Sequence, residues 1–188
     1  TSQWKLNTIE HSASATLDST GQAVVKLDPA YVAKLKALGV KSVPFISHLE
    51  QISNYLPVNK RPGLSSRPDP AKPLPSDYTP GLCMSSEATR SLLGGWLTEI
   101  AAVEGVTDVM VWLSEDASKC FCEQCSGKEP YGLEVECLAA ALRLAQKSHP
   151  GMRLRILLSQ GSYPVNDKVI AAAPPDVGIT YYDGGRTY

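Results

Sequence analysis

The residues of this chain best suited to chemistry stand together between Val111 and Cys125, in the run VWLSEDASKCFCEQC. Two adjacent carboxylates, Glu115 and Asp116, follow an apolar stretch, the setting in which a carboxyl group can serve as a general acid or base. Asp116 has a second use, since aspartate commonly caps the turn that follows a strand. Cys120, Cys122 and Cys125 come next, and Cys137 supplies a fourth thiol about three helical turns further on. Such a group either binds a structural metal, zinc being the usual ion for thiolates, or forms two disulfides that staple the loop. Cys83 stands alone in the sequence, and no thiol is placed beside a histidine as a nucleophile would be.

The elements that must position these groups are legible as alternating strands and helices. Apolar runs rich in β-formers occur at WKLNTI, VKSVPFISH, VTDVMVWL, MRLRILLSQ and VGITYYD. Their polar ends fall at Glu10 and His11, at His48, at Glu115 and Asp116, at Gln160 and at Asp183. Helical patterns lie between them. DPAYVAKLKALGV has Asp28 as N-cap, Pro29 in the first turn and Gly39 as its stop, and SSEATRSLLGGWLTEIAAVEG has Ser86 as a cap. In the latter, Gly94-Gly95 either weakens the helix or marks close packing. GLEVECLAAALRLAQKSHPG places Leu138, Ala141, Leu142 and Ala145 on one face, and NDKVIAAAPPD is shorter. Continuous apolar strands alternating with helices predict an α/β fold with a parallel sheet. Residues 51–80 are proline-rich and read as a surface excursion, too long for an idle connector.

Length and composition set the remaining bounds. The 188 residues, 43% hydrophobic and 20% charged, suit a single globular domain or a piece of a larger one. A net charge of −1 argues against nucleic acid as a partner, and the absence of an apolar run of roughly 18 residues argues against a membrane span.

Three of these stretches resemble glycoside-hydrolase-like (β/α) barrels. WKLNTIEH resembles the second strand of β-hexosaminidase-like barrels, and LKALGVKSVPFISH the helix and third strand that follow. VWLSEDASKCFCEQC, with the later HPGMRLRILLSQGSY, resembles uncharacterised barrels related to α-glucuronidases. The resemblance implies an incomplete TIM barrel running from about the second strand to the sixth, with residues 1–188 as one catalytic domain or fragment. Ser114-Glu115-Asp116 is nearer the Ser-Glu of the glucuronidase-like group than the Asp-Glu pair of hexosaminidases.

On this reading the chain hydrolyses a poly- or oligosaccharide with two carboxylates. Glu115 is the acid, and Asp183 the partner, as base or nucleophile. Glu10, His11, His48, Trp112, Asp116, Gln160, Tyr163 and Tyr182 would line the sugar pocket. Catalysis would need no cofactor, and any zinc would be structural, at Cys120, Cys122, Cys125 and Cys137. A glycosidase role favours a secreted or periplasmic protein. A non-catalytic carbohydrate-binding module, a zinc-stabilised interaction domain, or a barrel completed by a second chain are the competing expectations.

Overall fold

The computed structural model describes residues 7–51, 56, 58–61, 63–74, 76–117 and 119–181. In chain order the elements are β1 (Thr8–Ser12), β2 (Ser14–Leu17), β3 (Ala23–Lys26), α1 (Pro29–Ala37) and β4 (Lys41–Ile46). They continue with α2 (Glu87–Ala101), β5 (Asp108–Trp112), α3 (Pro130–Ala145), β6 (Arg153–Leu158), α4 (Asn166–Ala172) and β7 (Gly178–Tyr181). Five strands form one parallel sheet in the order β1-β4-β5-β6-β7, and β2 pairs with β3 as an antiparallel hairpin. The fold is thus mixed α/β around a parallel sheet, as the alternating pattern predicts. No helix among the described residues is long and apolar enough to cross a membrane.

Local chemistry fixes the helix ends. The Asp28 carboxylate accepts from the Ala30 N–H at 2.9 Å, and Gly39 reverses the chain after α1 at φ +67°. Ser86 caps α2 through the Ala88 N–H at 3.2 Å. The glycine pair inside α2 marks close packing on two sides. A Cβ on Gly94 would stand 3.0 Å from Leu144 of α3, and one on Gly95 would stand 2.7 Å from Ala23 of β3. Trp96, fully buried, donates its indole N–H to the Thr16 carbonyl at 2.6 Å and so ties α2 to the hairpin.

The sheet has two unlike faces because side chains alternate along each strand. Ile46, Val109, Val111, Leu154, Ile156 and Leu158 enter the main core with Leu93, Trp96 and Ile100 of α2 and Leu138 and Leu142 of α3. On the other face Val43, Met110 and Leu157 form a separate cluster with Phe45 and Trp112, which no helix residue joins among the described residues. Near the amino ends of the strands that same face carries Asp108, 3% exposed, held by Lys41 at 2.7 Å, Arg153 at 2.9 Å and Arg155 at 3.1 Å. Three cations on one carboxylate hold it down at about 2; burial alone would raise it, and the hydrogen bonds from Lys41, Thr107 and Arg153 outweigh that.

Two expectations are corrected here. The hairpin of β2 and β3, whose strands are four residues each, lies in a stretch where the sequence pattern suggested no strand. The first strand ends at Ser12 rather than at the Glu10-His11 pair, so both residues sit within β1, opposite Val43 and Pro44.

Candidate functional site

The carboxyl ends of β4, β5 and β6 bring His48, Glu115 and the turn at Gly161 together. His48 follows β4 by two residues, and its Nδ1 lies 2.6 Å from the Leu113 carbonyl. A carbonyl only accepts, so Nδ1 carries the proton and Nε2 is left to face the Glu115 carboxylate, 3.6 Å away. The other Glu115 oxygen accepts from the Gly161 N–H at 3.2 Å, and the Glu115 N–H donates to Glu50 at 3.2 Å. Tyr131 donates its hydroxyl to the Glu115 carbonyl at 3.0 Å. The Glu115 side chain remains 41% exposed, so a reactant can reach it.

Beneath Glu115 the strand tip is fixed by a buried polar network. Ser114 donates its N–H (3.1 Å) and its hydroxyl (2.5 Å) to the two carboxylate oxygens of Glu134, which is 2% exposed. Burial pushes the Glu134 carboxyl up to about 7; the Ser114 bonds oppose the rise and the charges of Glu50 and Glu129 add to it. Ser159 donates to the Ser114 carbonyl at 2.5 Å, joining the tips of β5 and β6. Neither Glu134 nor Gly161 was marked by motif. Helical phase was the available signal for Glu134, which shares a face with Leu138, Ala141 and Ala145.

The other expected pocket residues are distributed. Trp112, on the face of the Val43–Met110–Leu157 cluster, stacks on Phe45 with ring centres 4.6 Å apart and meets the edge of His48 at 5.1 Å. Glu10 is exposed and shares that face through its pairing with Val43, well short of the strand end. His11 points to the opposite side, where its Nε2 lies 2.7 Å from the Ser42 hydroxyl and its ring meets Tyr31 of α1. It therefore does not join His48 and Glu115. Asp116 and Gln160 are exposed beside the site, and Tyr163 stacks on Tyr181 at 5.4 Å. Tyr182 and Asp183 lie outside the described residues.

The second constellation is built from thiols. Cys83, Cys120, Cys122 and Cys125 place their sulfurs within 4.8 Å of one another. Cys83 Sγ stands 3.6 Å from Cys120, 3.8 Å from Cys125 and 3.9 Å from Cys122. Disulfide sulfurs would be about 2.05 Å apart, and all five cysteines are free thiols. Thiolates about 2.3 Å from a shared tetrahedral ion stand about 3.8 Å from each other, so the four residues fit a metal. Cys122 and Cys125 belong to one turn, with the Cys125 N–H donating to the Cys122 carbonyl at 3.1 Å. Cys83 follows the bridge between Ser65 and Leu82, its N–H donating to the Leu64 carbonyl at 2.7 Å. The Arg67 N–H points at Cys120 Sγ at 3.2 Å, and the Ser85 hydroxyl lies 3.1 Å from Cys125 Sγ.

Burial pushes the Cys83 and Cys120 thiols up, with the neighbouring sulfurs reinforcing the effect on Cys83. Cys122 is the exception: burial raises it, but hydrogen bonds from the Cys125 and Cys120 side chains and from the Cys125 and Gln124 backbone together outweigh that and hold it at about 7. The fourth member is therefore Cys83, not Cys137 as the sequence spacing suggested. Cys137 faces the main core from α3, 1% exposed, where burial pushes its thiol up to about 12.

The chain matches no model of a known protein family and no curated protein.

Proposed function

We propose that Cys83, Cys120, Cys122 and Cys125 bind a structural zinc ion. The observation that carries this is the gathering of the four sulfurs within 4.8 Å of one another, with the three separations from Cys83, 3.6 to 3.9 Å, close to the edge of a tetrathiolate tetrahedron. Zinc is favoured over other ions by four soft sulfur donors in a closed arrangement with no oxygen or histidine ligand. The ion would join the loop after β5 to the segment leading into α2, two parts of the chain with little other regular structure. Metal analysis of the purified protein tests this, with one zinc per chain expected. Cobalt(II) in its place should give the visible bands of tetrahedral thiolate ligation. Protein without stoichiometric metal, whose four thiols react freely in the native state, would refute it.

A second reading concerns the strand tips, and the contact between His48 and Glu115 favours it. We propose that the sheet is the arc of a (β/α) barrel and that Glu115 serves as acid and base in glycoside hydrolysis. A carboxyl group at the carboxyl edge of a parallel sheet occupies the usual place for chemistry in such folds. The flat Phe45–Trp112 pair offers an aromatic surface of the kind sugar rings stack on. Asp183 would be the second carboxylate. Turnover of a panel of aryl glycosides by the unmodified protein is the test, and failure across the panel would favour a non-catalytic binding module.

A further inference from the structure

Away from both sites a cavity of about 520 Å³ lies between the β2–β3 hairpin, the residues Arg61, Gly63 and Leu64, and α2. Three contacts frame it, and at two of them, Gly95 and Gly21, a side chain would collide with its neighbour. At Gly95 the hairpin meets α2, with Ala23 Cβ 2.7 Å from where a Cβ would stand. At Gly63 the chain passes Ala88 of α2 at 3.5 Å from the same construction. At Gly21, whose φ is +90°, the Arg61 guanidinium occupies the position a side chain would take, 2.3 Å from it. Between these points the walls are largely apolar: Leu17, Ala23, Leu64 and Leu92, with the Ser91 hydroxyl among them.

Arg61 is held in place from behind. Its N–H donates to the Val58 carbonyl at 2.9 Å, and its carbonyl accepts from Leu64 at 2.8 Å. Arg61 is partly buried as a residue and lines the cavity, and no carboxylate among the described residues is paired with it. Asp18, the acid of the neighbouring hairpin turn, accepts instead from the Thr20 N–H, the Thr20 hydroxyl and the Gln22 N–H. A partly buried cationic residue beside an apolar cavity is stabilised by an anion that also fills the apolar space. The volume lies in the range of small-molecule sites.

We infer that this cavity binds a small apolar carboxylate, its alkyl or aryl tail between Leu17 and Leu92 and its carboxylate on Arg61. The site is separate from the zinc and the strand-tip readings and stands whether or not either holds. Octanoate and 1-octanol share a tail and differ in charge, so NMR titration of the labelled protein with each isolates the role of Arg61. A charged hydrogen-bonded pair contributes about 1.5–3 kcal/mol, tenfold or more in affinity. Octanoate should therefore bind at least about tenfold tighter than octanol, moving the signals of Leu17, Ala23 and Leu92. Arg61→Gln should bring octanoate to within about twofold of octanol while keeping a dispersed, folded spectrum. Ser91→Leu, at an exposed helical position, should block both ligands. Equal affinity for the two compounds, undiminished octanoate binding by Arg61→Gln, or no saturating shifts at low-millimolar ligand would overturn the inference.

Discussion

His48 Nε2 and Glu115 Oε1 stand 3.6 Å apart where β4 and β5 end, and the same carboxylate accepts from Gly161 after β6. Three consecutive strand ends of the sheet thus converge on one side chain. Glu115→Gln should preserve this arrangement, because the amide oxygen still accepts from Gly161 and its N–H₂ group can donate to a neutral His48. The proton-donating function is lost, which on the hydrolase reading lowers turnover by about 10²–10⁴-fold while substrate binding is retained. Steady-state kinetics and direct binding on the same glycoside separate the two effects. Undiminished turnover would remove Glu115 from the chemistry.

Gly161 is sterically committed to this site. A Cβ there would stand 1.7 Å from the Glu115 carbonyl oxygen and 2.3 Å from the Tyr131 hydroxyl. The first obstacle is backbone, which cannot rotate aside, so Gly161→Ala should cost about 3 kcal/mol or more. Urea denaturation measures this directly. A loss under about 0.5 kcal/mol, the usual scatter of surface changes, would mean that the turn rearranges freely.

Glu134 should make stability depend on pH. Its carboxyl lies at about 7 in the folded protein, against an ordinary value of 4.5, because it is fully buried. A raised carboxyl binds its proton more tightly folded than unfolded. The resulting stabilisation is fully present below about 4.5 and is lost as pH rises through about 7, a change of about 3 kcal/mol. Glu134→Gln keeps the partners of Ser114 without the charge. The stability difference between the two proteins should therefore shift by about that amount between pH 4.5 and 8, in favour of the glutamine variant at high pH. A difference that stays constant over this range would show that Glu134 does not titrate there.

The sheet and its helices were legible because their signals are local. Asp28 and Ser86 cap the helices that their sequence context predicts, and the apolar runs become β4, β5, β6 and β7. The hairpin was not legible, since SATL and AVVK are short and their turn, at Gly21, is stabilised by Asp18 bonds that no apolar period reveals. His11 was misplaced for a related reason. Strand alternation says which residues share a face, yet only the pairing with β4 says that His11 faces Ser42 and α1. Glu10 and His11 read as a strand end because polar residues follow an apolar run, and β1 continues through them.

The cysteine cluster shows the limit most clearly, and it supports the sharpest prediction. Nearness in sequence favoured Cys137 as the fourth thiol, but helical phase turns it into the core with Leu138 and Ala141. Cys83 reaches the cluster from 37 residues before Cys120, through the bridge of Ser65 to Leu82. If the zinc reading holds, Cys83→Ser should lose stoichiometric metal, since a hydroxyl is a poor substitute for a thiolate and the remaining three leave an open position. Metal binding and folding are linked, so that variant should also lose several kcal/mol of stability, and a chelator should destabilise it no further. Cys137→Ser should keep its full metal content while losing stability of its own, because it places a hydroxyl among apolar side chains. Metal content and chelator sensitivity thus separate the two variants even where their denaturant midpoints coincide. Full zinc in the Cys83→Ser protein, or its loss on changing Cys137, would reverse the assignment.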